Sequence, residues 1–92
     1  MDGYRHRGLG ARQRRTLVAM FAHPTRATVV FADIESLVLA LGGAGAEGAG
    51  SRVKLSLAGE RWYCHRPHPG KEARRYQVEE AREFLRRAGV EP

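Results

Sequence analysis

At 92 residues, the chain is long enough for one small domain with a modest core and too short for a large enzyme with a deep cleft. Its 16 Lys and Arg residues against 10 Asp and Glu residues give a formal net charge of +6, which favours an anionic partner such as a nucleic acid, an acidic protein or a membrane surface. The single cysteine excludes an internal disulfide and a four-cysteine zinc site, and no apolar run reaches the roughly 20 residues of a membrane span. We therefore expect a cytoplasmic protein with no membrane segment. We also expect no metal and no cofactor.

Residues 1–11 form a basic segment with few apolar side chains. Arg5, His6 and Arg7 lie among glycines there, which is typical of a flexible tail. We expect a solvated arm, although the same cations suit contact with a nucleic acid.

The first predicted helix covers residues 12–22, within an N-terminal helical extension over residues 12–27. Leu17, Met20 and Phe21 recur at the spacing i, i+3 and i+4, which predicts an amphipathic helix with one basic face. A proline two residues after the helix ends it.

The second predicted helix begins near Asp33 and ends at Gly42. Its apolar stripe consists of Ile34, Leu37, Val38 and Leu41. Asp33 and Glu35 are expected in the first turn, where the helix dipole favours anions, and Gly42 supplies a C-cap. This helix needs a surface on which to pack its stripe.

A glycine-rich connector follows at residues 42–50. It contains five glycines among alanines and therefore has few side chains to bury. We expect a short strand within residues 44–48 that pairs at a sheet edge.

The next segment, residues 50–69, predicts a β-hairpin. Apolar and polar side chains alternate along both strands, the period of a half-buried sheet, and Ala58-Gly59 is the turn. The predicted cross-strand pairs are Ser56 with Arg61, Leu55 with Trp62, Lys54 with Tyr63, Val53 with Cys64 and Arg52 with His65. One face then carries Val53, Leu55, Trp62 and Cys64, and the other carries Arg52, Lys54, Arg61, Tyr63 and His65. Burial specifies this register, because a slip by one residue would bury the charges.

The last predicted helix covers residues 77–88. Its inner stripe consists of Val78, Ala81, Leu85 and Ala88, with Phe84 beside it. Glu79 and Glu80 are expected in its first turn and Arg86 and Arg87 in its last, with ion pairs joining Glu79 to Arg82 and Glu83 to Arg87. The element order indicates an α+β domain with helices packed on one face of an antiparallel sheet and the other face open to solvent.

The same order of motifs resembles the HicA toxin family. The likeness covers residues 28–92 and rests on the helix ending at Gly42, on Gly50-Ser51-Arg52 at the start of the hairpin, on His65-Arg66-Pro67-His68-Pro69 after it, and on the final helix. The resemblance implies a small fold similar to the double-stranded RNA-binding domain. It also implies a type II toxin that cleaves mRNA without a metal and is neutralised by a HicB-like antitoxin protein.

One position departs from the family pattern. The catalytic histidine of the family closely follows Gly-Ser, where this chain has Arg52 or Val53, and an arginine cannot act as a general base. Cleavage at a 2′-hydroxyl needs a base, an acid and cations for the phosphorane charge. His65, opposite Arg52 in the predicted register, is our candidate for the proton transfer, with His68 as a second candidate between two prolines. The candidate RNA-binding residues are Arg52, Lys54, Arg61, Tyr63 and Arg66.

Three other interpretations remain open on the sequence alone. His65 is equally consistent with an ordinary exposed strand residue on a solvated cationic face. A chain that has lost the catalytic histidine can act as a non-cleaving RNA-binding or antitoxin-binding module. A DNA-associated domain is less consistent with the sequence, because no helix shows a recognition pattern of polar base-reading residues. Cys64 is expected to point inward as a small apolar residue.

Overall fold

A computed structural model describes residues 8–92 of the chain. The elements follow the order α1 (Ala11–Met20), α2 (Phe31–Ala40), β1 (Ala44–Glu47), β2 (Arg52–Leu57), β3 (Glu60–His65) and α3 (Arg75–Arg87). The three strands form one antiparallel sheet in the order β1-β2-β3. Helices α2 and α3 pack on one face of this sheet, and α1 packs against those two helices. The α+β class predicted from the sequence is confirmed.

The β2–β3 hairpin has the predicted register. All five predicted cross-strand pairs are present, from Arg52 with His65 to Ser56 with Arg61. Ala58 and Gly59 both have positive φ angles, 51° and 83°, as a two-residue hairpin turn of this hand requires. The glycine-rich connector contributes the edge strand β1, which pairs with β2 along its whole length.

The core lies between the sheet and the helices. The most buried side chains of the helices and the covered sheet face are Leu17, Met20, Ile34, Leu37, Val38, Leu55, Val78, Phe84 and Leu85. Trp62 of β3 lies between Phe31 and Phe84, with ring centroids 6.0 Å and 6.4 Å apart. Its indole Nε1 donates a hydrogen bond to Glu80, so the ring is fixed at both its apolar body and its polar tip.

Helix α1 belongs to the same core as the rest of the domain. Leu17 and Met20 are completely buried by α2 and α3, and Leu9, just before the helix, is also buried. The Arg14 guanidinium donates a hydrogen bond to the Leu9 carbonyl oxygen at 2.7 Å, which fixes the segment before α1 against the helix. The predicted flexible tail covers residues 1–11, and its first seven residues lie outside the described part of the chain.

Both core helices begin two residues earlier than the sequence predicts. The segments before α2 and α3 pair with one another in an antiparallel bridge between Val30 and Glu72. The Phe31 amide donates to the Lys71 carbonyl oxygen at 2.9 Å, and this contact between distant segments starts α2 at Phe31. Glu35 consequently lies beyond the first turn, contrary to the prediction.

The prediction for the start of α3 is corrected in the same way. This helix begins at Arg75, so Glu79 and Glu80 lie past its first turn. Gln77, predicted as the first helical residue, instead accepts a hydrogen bond from the Arg74 amide at 3.0 Å and closes the N-terminus.

The two predicted ion pairs along α3 are also wrong. Arg82 is buried and donates to the Thr25 hydroxyl rather than to Glu79. Arg87 reaches Glu60 at the hairpin turn, 2.9 Å away, and Glu83 pairs with Arg86 instead. For Arg82 and Arg87, a contact with another segment therefore replaces the predicted pair within the helix, which is worth only a few tenths of a kcal/mol.

Candidate nucleic-acid interface

The face of the hairpin that the helices do not cover carries Arg52, Lys54, Arg61, Tyr63 and His65, and we call it the open sheet face. Arg52, Arg61, Tyr63 and His65 are exposed and Lys54 is half-buried, whereas the residues that alternate with them on β2 are buried. Tyr63 exposes 68% of its surface, which leaves its ring available for stacking.

Four of these side chains border one depression of about 570 Å³ at the end of the sheet where β1 and β2 meet. Its lining consists of Ala46, Glu47, Gly48, Arg52, Val53, Lys54, Tyr63, Cys64 and His65. The small residues Ala46 and Gly48 leave room beside the cations. The structure thus brings together four of the seven residues predicted as a site, namely Arg52, Lys54, Tyr63 and His65.

The backbone at His65 is held firmly although its imidazole is exposed. His65 pairs with Arg52 across the hairpin, and its carbonyl oxygen accepts a hydrogen bond from the Gln77 side-chain amide at 2.7 Å. This bond joins the end of β3 to the first turn of α3. The rim of the depression is therefore supported from the core side while the ring faces solvent.

Three predicted residues lie outside the depression. Arg61 pairs with Ser56 near the hairpin turn, and His68 is exposed in the loop that leads to α3. Arg66 forms ion pairs with Glu35 of α2 at 2.8 Å and with Glu47 of β1 at 3.1 Å.

Arg66 uses its charge in ion pairs within the fold. Its hydrogen bond to Glu35 raises the pKa of the guanidinium further above its ordinary value. The two acidic partners come from α2 and β1, so Arg66 joins both elements to the end of the hairpin. A phosphate group at this arginine would compete with both carboxylates.

Cys64 is not suited to nucleophilic chemistry. Its thiol is half-buried and lies 3.8 Å from the Val53 carbonyl oxygen. Burial, with a smaller contribution from the Glu35 and Glu80 carboxylates, raises the pKa of the Cys64 thiol to about 12. The reactive thiolate is therefore scarce at neutral pH.

Sequence reasoning missed two residues that shape this interface. Glu47 lines the depression while its carboxylate pairs with Arg66 outside it, and Gln77 supports His65 from α3. A strand over Ala44–Glu47 in register with β2 would have placed Glu47 opposite Val53, but the connector offers no alternation from which to read that register. No local pattern signals the contact of Gln77, because it joins separate elements.

No family model, curated protein or solved structure matches the chain. In the described range 8–92, none of the helices has the length and hydropathy needed to cross a bilayer. The function is therefore inferred from the geometry of the open sheet face.

Proposed function

We propose that the open sheet face binds RNA and that this protein is a metal-independent mRNA endonuclease, the toxin of a type II toxin-antitoxin system of the HicA type. The observation that carries the proposal is the depression in which Arg52, Lys54, Tyr63 and His65 meet. The order of a helix, three antiparallel strands and a helix over residues 31–87 suits the double-stranded RNA-binding-domain-like fold implied by the sequence resemblance.

The side chains of the depression match the parts of a ribonucleotide. The Arg52 and Lys54 cations suit phosphate oxygens, and charge-assisted hydrogen bonds of this kind are about twice as strong as neutral ones. The exposed ring of Tyr63 suits an unstacked base, a contact worth about 1–3 kcal/mol. A flexible single strand can present both groups at once, whereas the bases of a duplex are already stacked.

His65 is assigned the role of general base. Histidine is the side chain best able to exchange a proton near neutral pH, and among the histidines of residues 8–92 only His65 lines the depression. In the proposed step, the imidazole removes the 2′-hydroxyl proton as the 2′-oxygen attacks the adjacent phosphorus. The bond to the 5′-oxygen breaks, and that oxygen takes a proton from solvent. Arg52 and Lys54 stabilise the charge of the phosphorane.

A HicB-like antitoxin is the partner that this proposal requires. An antitoxin that covered the open sheet face would bury the exposed ring of Tyr63 and neutralise its cations, which would block RNA at the same site. Action on mRNA would place the protein in the cytoplasm.

A second candidate function is supported by two specific observations. Arg52 stands near the position where the family has its histidine, and His68 lies outside the depression. Both observations favour a non-cleaving module that keeps the RNA-binding or antitoxin-binding surface without the chemistry. The two candidates share the binding face and differ in whether His65 transfers a proton.

The test is cleavage of a labelled, unstructured 20-nucleotide RNA by the full chain in EDTA. We expect His65→Ala to lower the cleavage rate by about 10²–10⁴-fold, the usual contribution of a general base. His23→Ala is the matched control, because His23 is an exposed histidine away from the depression. Replacing the 2′-hydroxyls by hydrogens in the substrate should abolish cleavage while binding remains.

The outcomes separate the candidates. Salt-sensitive RNA binding without cleavage by the wild-type protein supports the non-cleaving module. Cleavage that survives in His65→Ala overturns the assignment of the base. A wild-type protein that does not bind RNA overturns both candidates, provided that circular dichroism shows the fold.

A further inference from the structure

The net positive charge of the chain does not reside in the part that contains the sheet. Residues 3–32 contain 6 arginines and no acidic residue, whereas residues 33–92 contain 10 Lys and Arg against 9 Asp and Glu. The open sheet face is therefore a local cationic patch on a nearly neutral part of the chain. The charge that attracts a polyanion over longer distances comes from the segment that includes α1.

Helix α1 presents arginines around a shallow trough. Two adjoining depressions, of about 230 and 450 Å³, share Arg15, Ala19 and Arg26 in their linings. Arg14 and Val18 extend the second depression along the helix. We call the larger depression, lined by Arg14, Arg15, Val18, Ala19 and Arg26, the arginine trough. The smaller depression beside it is also lined by Arg12 and Asp33, which pair with each other. The arginine trough is separate from the open sheet face, because α1 packs against α2 and α3.

The arginines of the trough form no ion pair with the described part of the chain. Within residues 8–92, no salt bridge joins Arg14, Arg15 or Arg26 to an acidic residue, in contrast to Arg12, which pairs with Asp33 at 3.0 Å. Arg14 is also fixed in direction by its hydrogen bond to a backbone carbonyl oxygen.

The floor of the trough is apolar and exposed. Val18, which lines the trough together with Arg14 and Arg15, exposes 59% of its surface. Cations around an apolar floor suit a ligand that alternates anionic and apolar parts. A nucleic acid strand does so, with phosphates at regular intervals and sugars and bases between them.

We propose that the arginine trough is a second RNA-binding surface, which holds the phosphate backbone of a long single strand that also contacts the open sheet face. The choice of RNA rests on the proposed function. Two linked surfaces bind one long strand more tightly than either alone, because the second contact becomes intramolecular. Arginine suits this role because its planar guanidinium binds phosphate through two parallel hydrogen bonds.

The experiment measures the affinity of the full chain for a fluorescent 20-nucleotide oligouridylate between 0.05 and 0.3 M salt. The variant is Arg15→Gln with Arg26→Gln, which removes two charges from the trough. The control is Arg86→Gln with Arg87→Gln, which removes the same charge from arginines already paired with Glu83 and Glu60. A third protein, Lys54→Gln with Tyr63→Ala, reports on the open sheet face.

For single strands, log affinity changes by about 0.7 per phosphate contact for each tenfold change in salt. Loss of two contacts should therefore lower the salt slope by about 1.4 and weaken binding about 25-fold at 0.1 M salt. The control pair should change the slope by less than half as much.

Several results overturn the inference. Equal effects of the trough variant and the control would mean that only net charge matters. An unchanged slope in the trough variant, with binding lost in the Lys54 and Tyr63 variant, would leave the proposed function intact and remove the trough from it. If RNA affinity falls in the trough variant but is unchanged in the Lys54 and Tyr63 variant, the trough is supported and the proposed function is contradicted. Binding of polyglutamate but not RNA through the trough would assign it to an acidic protein, which also overturns the inference.

Discussion

The hydrogen bonds of Gln77 give the sharpest test of how the interface is supported. This side chain is almost fully buried, and its amide spans from the Arg74 amide, 3.0 Å away, to the His65 carbonyl oxygen, 2.7 Å away. Gln77→Met keeps a side chain of similar length but removes both hydrogen bonds. Each bond contributes about 0.5–1.5 kcal/mol net, so we expect a loss of about 1–3 kcal/mol in the free energy of unfolding.

For a domain of this size, 1 kcal/mol lowers Tm by about 4–8 °C, so the expected fall is about 4–24 °C. Thermal and urea unfolding followed by circular dichroism measure this loss. Arg75→Gln is the control, because Arg75 is exposed in the same helical turn. The reasoning is refuted if Gln77→Met unfolds within about 0.5 kcal/mol of the wild-type protein, because the hydrogen bonds would then contribute nothing beyond packing.

Three further predictions concern single positions. Gly43→Ala should cost about 1–3 kcal/mol, because a Cβ atom there would collide with a carbonyl oxygen of β2; Gly70→Ala, with ordinary contacts, should be nearly neutral in the same urea titration. Arg82→Met should be neutral or stabilising by about 1 kcal/mol, because the buried guanidinium has a hydrogen bond from one nitrogen to Thr25 while, within residues 8–92, Nη1 has no partner; a large loss of stability would contradict this. Cys64 has a folded-state pKa of about 12, above its ordinary value of 9.0, so its contribution to stability is complete below pH 9.0 and is lost as pH rises toward 12. Between pH 8 and pH 10.5 the wild-type protein should therefore lose more stability than Cys64→Ala, and equal losses would count against the raised pKa.

The parts of the fold that were predictable from the sequence depend on local patterns. The hairpin register followed from alternation and from the Ala58-Gly59 turn, and burial allows no other register. The inner stripe of α3 followed from helical spacing in the same way. These patterns also located the open sheet face, since alternation assigns each strand residue to a face.

The remaining features depend on contacts between distant segments. The bridge between Val30 and Glu72 sets where both core helices begin, and no sequence pattern near either residue predicts it. Arg66 was predicted as an RNA-binding residue from its charge, but its partners lie on α2 and β1. The position of α1 within the core likewise depends on surfaces of α2 and α3 that its own sequence does not specify.

The alternation along β2 has a consequence for how such a protein changes over evolutionary time. Val53 and Leu55 are buried, and a substitution at either of them acts on folding. Arg52 directly precedes Val53 but is exposed, so a substitution there changes the surface and leaves the core intact. Selection for stability therefore acts only weakly on the side chain at position 52. A side chain at that position can therefore be exchanged, and the surface changed with it, without penalty to the scaffold.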